Sequence, residues 1–397
     1  MNYIGSTYCT RFCLAVLPKT SYGENDSAFH CLLEKLSEDM SLVTSEGLLG
    51  PDGRKYWAAP IAMKGDWPFL AKAGQLQRSF HNQPKHGHAK KTKPCPGVCH
   101  LCEGGKPSIP FEDLSIFAEW QFHMGVIPPW DSIPNFILNC CRDVSYPETF
   151  LAPDPWHTWH LGEGRNFCSN AIALITSTMP QGNIDAKLDA LYEKYRQYCR
   201  RNQRQTYASK FTKELFNVKG TEYPTGGWTK GNFTTSLMKF VEFYLHRHEK
   251  EFEPDSLFVK TALAARVINQ VWSKLYAAPL WIPSWEAVAI AKRAFVFLDL
   301  YMSLASQAKQ EGYLLYLVNA KAHMLSHIFR SMLWQADLNG VVLNPMVFGV
   351  QMEEDLVGKS CRLMRRVSPQ VAVEKTLRRY LIAAADAWSK ANMWNRI

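Results

Sequence analysis

Three carboxylates set far apart along the chain could share a pair of divalent cations: Asp66 at the end of an apolar run, Asp154 in D-P-W-H, and Glu354 in Q-M-E-E-D-L-V-G. Each reads as standing where an extended segment gives way to a turn, so one end of a sheet could gather all three around Mg2+ or Mn2+. A centre of that kind activates a water or a 3′-hydroxyl and stabilises the oxygen leaving a phosphate, the chemistry of nucleic-acid cleavage and joining. With 36 acidic residues among 397, ordinary carboxylates that fall at turns are the competing reading.

A second constellation lies in C-P-G-V-C-H-L-C, where Cys99 and Cys102 have the two-residue gap that lets a tight turn present two thiolates to one tetrahedral zinc. His157 and His160 in W-H-T-W-H repeat that gap and are taken as the other two ligands. Buried thiols under a Pro/Gly loop are the alternative. His323 and His327 are four apart on one helical face; they read as polar residues at a helix–core boundary, with metal ligation as the second reading. Lys90, Lys91 and Lys93 precede the cysteines, and Arg362, Arg365 and Arg366 follow the last acidic cluster. These cations could hold a phosphate backbone or simply face solvent.

The elements that must position these groups change character along the chain. Its first third reads as α/β: a strand over 7–17 ending at Pro18, a helix through Phe29 to Val43, and a second extended run from Tyr56 to Met63. A short helix follows over Trp67 to Gly74. Residues 78–107 form a loop. From Gly162 the period is helical, with helices expected at about 163–178, 184–201, 208–216, 232–250, 256–277, 285–309 and 314–336. Asp255 and Ser284 are placed for N-caps. Strand-like segments return at 340–343 and 348–350, and a helix over 369–391 closes the chain.

Composition narrows the class. A chain 47% hydrophobic and 20% charged is too apolar to stay unfolded. Its most apolar helical stretch, 285–306, carries Glu286, Lys292, Arg293 and Asp299, so no membrane span is expected. Phe12 to Leu17 is too short for the core of a signal peptide, and eleven cysteines without framework spacing suit reduced thiols; nucleus or cytoplasm follows. A net charge of +9 favours a polyanionic partner.

In order along the chain, K-G-D-W-P-F-L, C-H-L-C, D-P-W-H-T-W-H-L-G and Q-M-E-E-D-L-V-G-K-S-C-R-L-M-R-R-V-S resemble the transposase-like reading frames of protist genomes. Those are similar in turn to the hAT-like and Kyakuja/Dileera/Zisupton transposases. The resemblance implies an α/β plus α fold: an RNase H-like mixed sheet over 1–165, an all-helical insertion over 166–336, and a return over 337–397. It also implies catalytic roles for Asp66, Asp154 and Glu354, with Glu353 a rival, a zinc pair at Cys99 and Cys102, Mg2+ or Mn2+ for catalysis, and DNA as partner, with homo-oligomers left open. No aspartate stands on the expected opening strand, so a truncated, inactive DNA-binding or scaffold remnant is the alternative. A helical interaction protein without a nucleic-acid role is the third.

Overall fold

The computed structural model describes residues 6–18, 21–23, 25–83, 94–180, 182–365 and 367–392. Helix α1 (Ser27–Ser45) is followed by strands β1 (Leu48–Leu49), β2 (Lys55–Tyr56) and β3 (Met63–Lys64), then α2 (Trp67–Ala73), α3 (Asn135–Leu138) and β4 (Leu151–Ala152). A π-helical stretch over Trp156–Glu163 runs into α4 (Gly164–Thr178), and α5 (Ile184–Arg201), α6 (Lys213–Phe216), α7 (Gly231–His248) and α8 (Leu257–Ala277) come next. Strand β5 (Trp281–Pro283), α9 (Ser284–Gln310), α10 (Ala320–Leu338), β6 (Val341–Leu343), α11 (Gln351–Met364) and α12 (Ala372–Lys390) complete the order. Among the described residues, no helix is long and apolar enough to cross a membrane.

Two compact units form. Among the described residues, the larger combines Arg78–Pro129 with Pro153–Phe348, and the smaller takes those up to Gln77, Trp130–Ala152 and those from Gly349 on. The described residues of the loop at 78–107 and residues 153–165 therefore belong with the helices, not with the first part of the chain.

In the larger unit, helix is dictated by apolar residues recurring every three to four positions, as at Leu257, Phe258, Ala262, Ala265, Ile268 and Trp272 of α8, all buried. The ends are marked chemically. Asn183 accepts from Ala186 N–H at 2.9 Å ahead of α5, and Asn319 accepts from Lys321 and Ala322 N–H at 2.7 and 3.2 Å ahead of α10. The cap of α8 is Ser256 rather than Asp255, and Ser284 is the first residue of α9 rather than its cap. Trp159 stacks on Trp272 at 5.5 Å and meets Phe297 edge-on at 5.6 Å, which pins the π-helical stretch to α8 and α9. That stretch breaks at Gly162 (φ −125°, ψ −113°), where a Cβ would lie 2.5 Å from the His157 carbonyl oxygen and 2.8 Å from Lys321 Cδ. The Lys321 ammonium donates instead to the carbonyls of His157 and Leu161, at 3.3 and 3.5 Å.

The smaller unit carries the strands of the first third, but they pair only two by two. β1 and β2 are antiparallel; β3 and β4 are parallel, with Met63 opposite Leu151 and Lys64 opposite Ala152. The third ladder, β5 with β6, lies in the larger unit. Among the described residues the protein is mostly helical with small two-stranded sheets, and the wider mixed sheet implied by the resemblance is not assembled.

Three expected strand segments are corrected. Over 7–17 the backbone forms one 3-10 turn and then an irregular segment whose carbonyls are met by side chains: Trp388 Nε1–H donates to Tyr8 O at 2.8 Å and the Tyr380 hydroxyl to Arg11 O at 3.1 Å. Its β-forming composition serves packing against α12 rather than a ladder. The run 56–63 joins a ladder only at its ends, Tyr56 in β2 and Met63 in β3. Residues 348–350 are not a strand, and the segment bearing Glu354 is not a turn: α11 runs straight through Gly358. Glu353 and Glu354 in its first turn and Arg362 in its last match the helix dipole, the pattern of a helix rather than of a turn.

Candidate metal centre

The cysteine loop is shaped by its backbone. Val98 N–H donates to Gly104 O at 2.8 Å, closing a turn in which Leu101 N–H points to Cys99 Sγ at 3.4 Å and Gly104 N–H to Cys102 Sγ at 3.3 Å. Amides aimed at sulfur favour thiolate. The buried Arg78 guanidinium braces the turn from behind, donating to the carbonyls of Cys99 at 2.7 Å and Ile127 at 2.8 Å. Gly104 has to be glycine, since a Cβ would lie 2.9 Å from His323 Cε1 and 3.3 Å from Cys102 Sγ.

Helix α10 supplies the facing side chains. Its start is fixed by the Asn319 cap, which sets His323 and His327 one turn apart on the buried face. Cys102 Sγ lies 3.2 Å from His323 Nε2 and 3.3 Å from His327 Nε2, and the two Nε2 atoms are 3.2 Å apart. With Cys99 included, the four ligand atoms fall within 4.8 Å of one another and all four residues are buried. Nitrogen and sulfur held tetrahedrally at roughly 2.0–2.3 Å from one ion stand about 3.3–3.8 Å apart, so the residues fit a metal ion. His323 Nδ1 lies 3.1 Å from the Phe111 carbonyl oxygen, an acceptor only, so Nδ1 carries the proton and Nε2 keeps its lone pair for the cluster. Trp120 packs over both imidazoles at 4.8 and 4.4 Å and keeps water away.

Burial alone would push the Cys99 thiol up; the hydrogen bond from the Cys102 thiol, the largest of the opposing effects, helps hold Cys99 well below the usual thiol range. Burial and the adjacent Cys99 hold Cys102 well above that range. Burial also lowers His327, which keeps its imidazole neutral. Such a pocket concentrates electron pairs around one point, and a cation there would neutralise it.

The histidines expected to complete the zinc site are elsewhere. His157 Nδ1 meets the Asp154 carboxylate at 2.6 Å, and His160 is buried with Nε2 2.7 Å from the Tyr276 hydroxyl and Nδ1 3.3 Å from Thr235 Oγ1. Desolvation takes His160 down to about 3, so it is neutral. The gap in W-H-T-W-H copied that of the cysteines, but a π-helical stretch does not place residues three apart as a tight turn does. The informative pattern was the older one of C-x-x-C with H-x-x-x-H, split here by 220 residues.

The two aspartates have backbone duties. Asp66 caps α2, accepting from Phe69 N–H at 2.8 Å. Asp154, buried, accepts from Trp156 N–H at 2.7 Å and His157 N–H at 3.1 Å as well as from the His157 ring. Glu354 lies in the first turn of α11, and Glu353 is held by Lys64 at 2.9 Å and by Arg11. Asp66 and Glu354 belong to the smaller unit and Asp154 to the larger. Carboxylate oxygens already occupied by amides and an imidazole are a poor fit to a pair of Mg2+ or Mn2+ ions. Of the cations expected to touch nucleic acid, Arg362 and Arg365 are exposed near the end of α11; Lys90, Lys91, Lys93 and Arg366 lie outside the described residues.

Comparison with protein-family models, curated proteins and solved structures finds no match to this chain.

Proposed function

We propose that this protein is a zinc-stapled, transposase-derived DNA-binding scaffold of the nucleus or cytoplasm that does not cleave DNA. The observation that carries this reading is the buried set of two cysteines and two histidines, Cys99, Cys102, His323 and His327. Four protein donors of this chemistry suit Zn2+ and leave no position for substrate, which is the pattern of structural rather than catalytic sites. When bound, the ion supplies cross-linking of the cysteine loop to α10. The chain's own groups prepare it: Phe111 O orients His323, Arg78 braces the thiol turn, and Trp120 excludes water.

DNA binding is supported by the net charge of +9 and by the exposed Arg362 and Arg365, with Lys375, Arg378 and Arg379 exposed on α12. The second reading, two-metal phosphoryl transfer on an RNase H-like core through Asp66, Asp154 and Glu354, is favoured by one observation, the parallel pairing of β3 with β4, strands that lead directly into Gly65-Asp66 and Pro153-Asp154. The backbone amides already held by the carboxylates of Asp66 and Asp154 weigh against it.

One experiment separates the two. The full chain is applied to immobilised duplex DNA over a salt gradient and, separately, incubated with a supercoiled plasmid and Mn2+ beside Asp66→Ala and Glu354→Ala. We expect retention that falls as salt rises and no nicking by any of the three proteins. Nicking by the parent that both substitutions abolish would establish the catalytic reading, and passage of the chain through the column at low salt would refute DNA binding.

A further inference from the structure

In the larger unit, α8 and α9 lie antiparallel, as the Lys260–Gln307 bond at 2.8 Å and the Arg293–Gln270 contact show, and an open groove of about 470 Å³ runs between them. Its floor is aliphatic: Leu263 and Val267 from α8, Ala289 and Val296 from α9. Leu263 is 43% exposed and Val296 49%. Arg266, Lys292 and Arg293 border that floor, and among the described residues no acid lines it. The stripe of α9 that carries Ala289 and Val296 also carries Trp285, four positions ahead of Ala289 and 74% exposed.

We propose that this groove docks an amphipathic helix of a partner protein, aliphatic on one face and acidic along its flanks. Two helices in contact leave a channel between their ridges into which a third can pack, and side chains at i, i+3, i+4 and i+7 of that helix would meet Leu263, Val267, Ala289 and Val296. The rim then selects by charge: Lys292 and Arg293, beside an Arg266 already paired with Glu249 at 3.2 Å, favour carboxylates flanking the apolar stripe and repel a basic helix. From Leu263 to Gln270 the groove extends about 10 Å at 1.5 Å per residue, enough for about two turns, with Trp285 as an anchor beyond one end. A phosphate backbone satisfies the rim alone. It would leave the aliphatic floor in water. This goes beyond the DNA-binding reading and does not rest on it.

The test measures fluorescence anisotropy of a labelled synthetic helix on the full chain. The probe repeats Leu at i, i+3, i+4 and i+7 with Glu at the remaining positions; a scrambled peptide of the same composition and an oligothymidylate serve as competitors. We expect saturable binding to the amphipathic probe, about tenfold weaker for the scrambled peptide. A similar loss is expected for Val296→Asp and for the Lys292→Glu/Arg293→Glu double variant, each with an unchanged far-UV circular dichroism spectrum, while Arg201→Glu binds as the parent does. Equal binding of the scrambled peptide would reduce the effect to bulk charge and overturn the proposal. So would absence of binding below about 1 mM. Displacement of the probe by oligothymidylate, with the oligonucleotide weakened by the same substitutions, would assign the groove to nucleic acid instead.

Discussion

His323 and Glu163 illustrate how single atoms set the behaviour of buried polar groups in this protein. Because His323 Nδ1 faces a carbonyl, its Nε2 is committed to the cluster of Cys102 and His327, and neither ring can be replaced by an apolar one without exposing the other donors. Glu163 is buried, with Asn319 donating to Oε2 at 3.1 Å, and burial pushes its carboxyl up to about 7. The consequence for stability has a definite sign. Below the ordinary carboxyl range, near 4.5, both folded and unfolded chains hold the proton; between there and about 7 only the folded chain does. Stability therefore falls as pH rises through that window, by on the order of 3 kcal/mol, and levels off above it. Glu163→Gln keeps an acceptor for Asn319 and has no proton to lose. We expect its denaturation midpoint to match the parent's near pH 4.5 and to exceed it at pH 8. A difference that does not change with pH would show that Glu163 is not carried neutral into the core.

At the scale of elements, helices were the legible part of the sequence. Helices α4, α5, α8 and α9 fall within a residue or two of the spans read from apolar periodicity, because each buries one continuous stripe. Extended segments were legible only in part: the strand expected at 340–343 is β6 (Val341–Leu343), while others were not. The segment over 7–17 has the composition of a strand, yet its backbone is met by Tyr380 and Trp388 from some 370 positions away, which no local pattern encodes. The site was half legible: the thiols were evident from their spacing, while the choice between two histidine pairs depended on which helix faces the loop. Asp66 shows how one residue can support two readings. It sits after a strand, where a catalytic acid would, and also before W-P-F-L, where an N-cap would. As a cap, Asp66→Ala should cost about 1 kcal/mol in chemical denaturation and Asp66→Asn only a few tenths, since the asparagine oxygen accepts the Phe69 N–H equally well. A loss as large for asparagine as for alanine would mean that the negative charge, rather than the cap, is what the position requires.

For the molecule as a whole, one ion held by Cys99, Cys102, His323 and His327 would close a long sequence separation. Residues 99–102 and 323–327 meet in a dry pocket of the larger unit, roofed by Trp120 and walled by Phe111. A link across so many residues constrains the unfolded chain strongly, and the binding free energy of a structural zinc adds directly to folding. The smaller unit, with its two-stranded ladders and the α11–α12 helices, contains none of the four donors. The most direct test is the metal content of the purified full chain by elemental analysis, beside His323→Ala and His327→Ala. The account predicts about one zinc per chain in the parent, a clear loss in both variants, and no loss in His157→Ala or His160→Ala. A folded parent without zinc, or zinc retained by the His323 and His327 variants but lost with His157 or His160, would contradict it.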